Sequence, residues 1–205
     1  MTIPTKRNPL PQVELRPALP EDALCLSVLA MQVFLDTYAT QGIRPALARE
    51  VLNSYSDCVF RDAIANHANR LLVAEHNGHM IGFAQVALDA THELAPAGTQ
   101  AELVRLYVQE PFTRATVGTQ LLEQAERSAA LGGASVLWLT SWVHNHRSLA
   151  FYSYRGYQDF GITHFRFEGE SHENRVLAKF VAAPVTLNVL QGAHLRLGAN
   201  ISQNW

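Results

Sequence analysis

"AELVRLYVQEPFTRATVGTQLLEQAE", Ala101 to Glu126, decides how the chain is read. It begins as a strand: apolar residues dominate from Leu103 to Val108, and Pro111 stops the run. It ends as a helix, because Leu121, Leu122 and Ala125 recur at helical spacing. Between the two lies a short turn through small residues that closes at Gly118. A strand that turns this tightly into a helix is either a packed crossover or a phosphate site, where unpaired helix N–H groups and the positive end of the dipole meet an anion. A glycine before a helix, taken alone, points to packing.

Outward from this stretch the pattern alternates between strands and helices. Downstream, Gly132-Gly133 closes the helix, and "ASVLWLTSWV" (134–143) is an apolar run typical of a buried strand. "NHRSLAFYSYR" (145–155) is a short helix ended at Gly156, and "YQDFGITHFRFEG" (157–169) and "NRVLAKFV" (174–181) are two further strands. Upstream, "RLLVAEHNGHMIGFAQVAL" (70–88) places two apolar runs around Asn77-Gly78, a strong hairpin signal. Before that, "VELRPA" (13–18) alternates as a strand, and "PEDALCLSVLAMQVFLDTYAT" (20–40) opens with Pro20, Glu21 and Asp22, as a helix N-terminus does. Gly42 breaks this helix, and 45–67 reads as one or two more. The order predicts one mixed α/β domain over 13–183, with a loose lead-in at 1–12 and an extension at 184–205. The extension alternates like a short hairpin. It adds a strand to this sheet, adds one to a partner chain, or stays loose.

Composition narrows the function classes. In 205 residues, 48% hydrophobic and 17% charged, there is enough apolar material for a sizeable core. Sixteen Lys and Arg against 18 Asp and Glu argue against broad nucleic-acid binding. No apolar run is long enough to span a membrane, and residues 1–12 lack the apolar core of a secretory signal. Cys25 and Cys58 read as two buried thiols of a cytoplasmic protein. The nine histidines, including the His144/His146 pair, are scattered and make no convergent metal site; no metal is expected. Trp138 and Trp142 alternate in their strand and read as packing.

The segment 101–126, taken with "LWLTSWVHNHRSLAFYSYRGYQDFG" (137–161), resembles the GNAT superfamily of acetyl-CoA-dependent N-acetyltransferases. In that family a strand leads into a loop of the form Arg/Gln-x-x-Gly-x-Gly/Ala. A later helix carries Asn-x-x-Ala-x-x-Phe-Tyr-x-x-x-Gly-Phe. The second motif is nearly intact here: Asn145, Ser148 in place of Ala, Phe151, Tyr152, Gly156 and Tyr157. The loop departs more: Thr113 stands first, where the family has Arg or Gln, and Thr116 replaces the middle glycine. The resemblance covers Val13 to Val181 and implies a single-domain GNAT fold, a central mixed sheet of about seven strands with helices on both faces. If the turn needs positive φ at position 116, a β-branched Thr is poorly suited to it.

The resemblance also implies a set of site residues. The amides of Thr113, Arg114, Ala115, Thr116, Val117, Gly118 and Thr119 bind the coenzyme pyrophosphate, with threonine hydroxyls as further donors. The strand splays from its neighbour at Leu106, Tyr107 and Val108, so its backbone pairs with the pantetheine arm. Asn145 contacts the coenzyme through its amide; read from the residues alone, it caps the following helix. Tyr152 protonates the departing sulfur; alone, it is a core tyrosine. Glu102 matches the general-base glutamate of some family members; alone, it is an exposed strand carboxylate or one salt-bridged to a cation such as Arg105. The co-substrate is acetyl-CoA, and the acceptor is a small primary amine such as a polyamine, amino acid or aminoglycoside, with a protein N-terminus as the less favoured alternative. A non-catalytic acyl-CoA-binding or partner-binding module with a degenerate loop is the competing reading. Phe34 and Tyr38 are candidate walls for the acceptor, and Asp36, Asp89 and Glu93 are either carboxylates for its cationic nitrogens or ordinary surface acids. Residues 160–180 bear a looser similarity to the branch that includes bacterial spermidine/spermine acetyltransferases. A homodimer joined through sheet edges fits the same resemblance.

Overall fold

A computed structural model of the chain describes residues 12–113, 116–167 and 170–182. The first strand, β1 (Glu14–Pro17), leads through a 3-10 turn into α1 (Ala23–Tyr38), α2 (Pro45–Ser54) and α3 (Asp57–Ala65). The hairpin β2 (Asn69–His76) and β3 (His79–Ala87) follows, then β4 (Gln100–Val108), α4 (Val117–Leu131), β5 (Val136–Trp142), α5 (His146–Tyr154), β6 (Gln158–Phe167) and β7 (Glu170–Phe180). All seven strands form one sheet in the order β1-β2-β3-β4-β5-β7-β6. Every neighbouring pair is antiparallel except β4 and β5, which the α4 crossover joins in parallel. The predicted mixed sheet is therefore the observed one. The hairpin turn has positive φ at both central residues, 51° at Asn77 and 74° at Gly78, as the sequence signal requires. Strand β7 begins four residues earlier than the apolar run that marks it, because Glu170–Glu173 pairs with β6 through backbone bonds that need no apolar side chain.

Two cores sit on opposite faces of the sheet. On one, Leu121, Leu122 and Ala125 of α4 and Tyr152 of α5 pack on Leu72, Ala84, Val86 and Leu137. On the other, Leu26 and Ala30 of α1, Val51 of α2 and Phe60 of α3 pack on Leu71, Val73 and Phe83. The buried positions of α1 include Ala23, Leu26, Ser27 and Ala30, the i, i+3, i+4, i+7 stripe of an amphipathic helix. Cys25 falls off that stripe and Cys58 lies beside, not on, the Phe60 face of α3, so both thiols are exposed and the expectation that they are buried is wrong. The extension 184–205 and the lead-in up to residue 11 lie outside the described residues.

The entry to α1 is held by charge. Asp22 accepts Arg16 Nη1 at 2.7 Å and Nη2 at 2.9 Å, and also the backbone N–H of Leu19 at 2.7 Å. Glu75 of β2 meets the same guanidinium at 2.5 Å. The hydrogen bonds from Arg16 hold the Asp22 carboxyl below its usual range. A depressed carboxyl contributes stability that is present above its unfolded pKa and is lost as pH falls toward the folded value. Asp22→Asn is expected to cost about 2 kcal/mol at pH 7, the range for charge-assisted bonds to a buried group, and clearly less at pH 3. Urea midpoints at the two pH values check this; an equal loss at both would remove Asp22 from the acid response.

Candidate active site

The site grows from the way β4 leaves β5. The two strands pair only over Gln100↔Val136, Ala101↔Leu137 and Glu102↔Trp138. Beyond Glu102 the ladder ends, so the β5-facing edge of β4 from Leu103 to Val108 carries no strand partner, while β3 still pairs its other edge as far as Gly82↔Val108. This is the predicted splay, and Leu106, Tyr107 and Val108 lie on it. Gly82 makes the close approach possible: a Cβ there would stand 2.7 Å from the Tyr107 carbonyl oxygen.

A β-bulge decides which side chains face which layer. The register with β3 passes from Val86↔Leu103 to Gln85↔Arg105, so Val104 is the extra residue. Before it, Ala101 and Leu103 face α4; after it, Leu106 and Val108 do. Glu102, Arg105 and Tyr107 therefore share the opposite face, under α1–α3.

On that face aromatic rings line the splay. Phe34 lies 4.5 Å from Tyr38 and 5.1 Å from Tyr55 between centroids, and Tyr38 lies 5.4 Å from Trp142 of β5. The Tyr55 and Tyr107 hydroxyls are 3.2 Å apart. Tyr152 comes from α5 on the other side. It is 7% exposed and packs on Phe151 and Tyr157. Burial, reinforced by Tyr107 and then Tyr38, raises the pKa of its hydroxyl well above the usual phenol range, so the group stays protonated through neutral pH. Burial, and then the neighbouring Tyr107, push the Tyr38 hydroxyl up to about 12, although 37% of the residue's surface is open. Four phenols thus feel one another where β4 and β5 part.

Glu102 sits at the last paired position, half-buried, its carboxyl raised by burial and drawn back in part by the Arg105 charge. The expected Glu102–Arg105 ion pair does not form. Arg105 donates instead to Gln85 Oε1 and, at 3.4 Å, to the Ser54 carbonyl, and it lies over the Tyr55 ring. Asp89 is exposed on the loop after β3 and takes no part in the aromatic group that Phe34 and Tyr38 join.

The turn into α4 follows from Thr116, whose φ of 65° and ψ of −5° put a β-branched residue in the left-handed region. The positive φ expected at this position is present. Val117 is fully buried, packed into the core under α4. The Thr113 hydroxyl donates to the Glu110 carbonyl at 2.9 Å. Thr119 accepts from Arg155, and Asn145 Oδ1 caps α5 by accepting the Ser148 N–H at 3.1 Å. The capping reading of Asn145 is thus realised, with its Nδ2 hydrogens not used by the cap. Arg114 and Ala115 lie outside the described residues. Thr116→Gly is expected to stabilise the fold by about 1 kcal/mol, because relief of the left-handed strain exceeds the entropy glycine adds to the unfolded chain. A urea midpoint that falls on this substitution would show the turn unstrained.

Sequence reasoning missed Tyr55, Arg105 and Trp142 as members of the site. Trp138 does pack as expected, with its Nε1 donating to the Ala90 carbonyl at 3.1 Å, but Trp142, two turns of the pleat further, stands half-buried against Tyr38. An open cleft of about 350 Å³ between α4 and the end of β7 has no lining residue on β4 or β5 and is separate from the splay. Among the described residues no three His, Cys, Asp or Glu side chains are grouped to hold a metal, and no helix is long and apolar enough to cross a membrane.

Comparison with known proteins agrees with this geometry. The family model described as acetyltransferase (GNAT) family matches residues 39–157. The chain is 26% identical over 153 residues to an uncharacterized N-acetyltransferase in the pepI 3′ region of Lactobacillus delbrueckii subsp. lactis, covering 74% of this chain and 87% of that one. It is 27% identical over 162 residues to the aminoalkylphosphonate N-acetyltransferase of Salmonella typhimurium, covering 79% and 94%. Among solved structures, the PaiA N-acetyltransferase of Thermoplasma acidophilum in complex with coenzyme A shares the fold, with a TM-score of 0.65 at 22% identity over 82% of this chain and 99% of that one.

Proposed function

The chain belongs to the GNAT family of acetyltransferases, and on that premise we propose that residues 13–183 transfer the acetyl group of acetyl-CoA to a primary amine of a small molecule, by direct attack in a ternary complex in the cytoplasm. The observation that carries this reading is the bare β4 edge from Leu103 to Val108, which ends nine residues before α4 begins at Val117. Unpaired strand groups suit the amide-rich pantetheine arm, and unpaired helix N–H groups suit the pyrophosphate. Gly118 supports the second assignment. A Cβ there would meet Phe151 and Val108 at 3.8 and 3.9 Å, ordinary contact, so the chain's own packing does not demand glycine. The donors at the turn are then the backbone N–H groups of Thr116, Val117, Gly118 and Thr119, with Arg114 and Ala115 on the same loop. Asn145 completes the coenzyme contacts through Nδ2.

In the reaction, the acceptor nitrogen forms a bond to the thioester carbonyl carbon while Glu102 takes one of its protons, directly or through water. A backbone N–H on the bare edge near Leu106–Val108 donates to the carbonyl oxygen as negative charge gathers there. The carbon–sulfur bond then breaks, and Tyr152 gives its proton to the departing thiolate. Proton return from Glu102 to Tyr152 through solvent restores both groups. Phe34, Tyr38, Tyr55 and Trp142 wall the acceptor side, and a named relative that acetylates an aminoalkylphosphonate supports a small-molecule acceptor over a protein N-terminus.

The test is acetyl-CoA binding by calorimetry, with free-thiol release followed over a panel of amines. Binding with thiol release is the expected result. Binding with no release from any amine would favour a non-catalytic acyl-CoA-binding module, a reading to which Thr113 and Thr116 at the loop positions lend weight. No binding would end both.

A further inference from the structure

Among the described residues the half-buried cations are paired with acids, with one exception at the candidate site. Arg16 meets Asp22 and Glu75, Arg155 meets Glu123 at 3.8 Å, and Arg175 meets Asp159 at 2.7 Å. Arg105, also half-buried, has no carboxylate within ion-pair distance among the described residues. Its partners are neutral, the Gln85 side-chain oxygen and the Ser54 carbonyl, and its guanidinium lies 5.2 Å from the Tyr55 and 5.5 Å from the Phe60 ring centroid. A guanidinium has five N–H donors in a planar fork that suits two oxygens of one anion. These two bonds occupy only part of it. The ring it lies over, Tyr55, is itself part of the aromatic wall beside Phe34 and Tyr107.

Its neighbour on the face is the complementary charge. The bulge at Val104 absorbs one residue, so Glu102 and Arg105 are successive positions on the same side of β4, about 7 Å apart at ordinary strand rise. Glu102 likewise makes no ion pair among the described residues. The face therefore offers one carboxylate and one guanidinium, unpaired with each other and rooted at successive same-side positions of one strand, as suits the two ends of a short zwitterion.

We infer that the acceptor carries an anionic group, a carboxylate or phosphonate, a few bonds from its amine, and that Arg105 binds that group while the amine lies toward Glu102. Arg105 is then a specificity-determining residue. This rests on the transferase reading above. It selects amino acids and aminophosphonates from among small amines and places polyamines among the poor substrates, because a second ammonium would meet the guanidinium.

Four probes decide it: γ-aminobutyrate, 3-aminopropylphosphonate, propylamine and 1,3-diaminopropane, each assayed for thiol release with saturating acetyl-CoA. The two acids are expected to exceed propylamine in kcat/KM by about tenfold or more, the effect of a charge-assisted contact, with diaminopropane lowest. Whichever acid leads tells carboxylate from phosphonate. Arg105→Gln is expected to abolish the preference through KM for the acids, and Arg105→Lys to restore part of it, while acetyl-CoA affinity by calorimetry stays as in the parent. Should Arg105→Gln fail to fold, the parent's own ranking still decides. A parent that prefers diaminopropane or propylamine, or an acid preference that survives in Arg105→Gln, overturns the assignment and leaves the transferase reading intact. Thiol release from none of the probes or any other amine overturns both.

Discussion

Tyr152→Phe is expected to lower kcat for acetyl transfer about 100-fold, the usual contribution of a positioned general acid, with little change in the affinity for acetyl-CoA. The substitution removes only the hydroxyl. The ring that packs on Phe151 and Tyr157 remains, so the fold should be unaffected. The raised pKa of the hydroxyl matters to the form of the result. Because burial keeps Tyr152 protonated through the neutral range, the parent enzyme should show no loss of activity from this group until strongly alkaline pH. The deficit of the Phe variant should accordingly be constant from pH 6 to pH 9. It should also shrink for acyl donors whose leaving thiol is more acidic, since these need less help in departing. A variant with parental kcat on acetyl-CoA would mean that water protonates the sulfur and that Tyr152 is only a core residue.

Glu102→Gln is the second large effect, expected at about 100-fold in kcat/KM for the acceptor near neutral pH. Here the pH dependence carries the argument. A base works when deprotonated, and burial raises the Glu102 carboxyl above its ordinary value while Arg105 restrains that rise. The parent should therefore lose activity on the acid side as Glu102 takes up a proton, a limb that the Gln variant lacks. Toward the pKa of the acceptor amine the free base becomes abundant, and the deficit should narrow. Equal pH–rate profiles for parent and variant would move the base role to water or another group.

Much of this architecture could be read from the chain, for reasons that differ by element. Asn77-Gly78 specifies its own turn through local backbone preference, so the β2–β3 hairpin needs nothing from the rest of the fold. The spacing from Asn145 to Gly156 lies within one helix and its exit, so the placement of Tyr152 came with it. The acceptor side was harder. Tyr55, Arg105 and Trp142 come from a helix end and two strands, and periodicity reports how each element is buried without saying which elements meet. Trp142 has the same alternation as Trp138, yet one faces Ala90 and the other faces Tyr38. Cys25 and Cys58 are exposed for a related reason: apolar neighbours in sequence are not neighbours on a helix face. Arg105 looked like a partner for Glu102 because the two are close in the chain, and Gln85 and Ser54 claimed it instead.

The doublet Leu103–Val104 interrupts the strict alternation of β4, and that is the written trace of its bulge. The consequence reaches any attempt to thread, graft or redesign this strand. Counting inside and outside positions from Gln100 straight through to Val108 would assign Arg105 and Tyr107 to the α4 side and Leu106 and Val108 to the aromatic side, each the wrong way round. A template shorter by one residue at Val104 would invert the lining of the splay while keeping every residue type. For this strand the unit to transplant is Glu102 through Val108 with the extra residue in place.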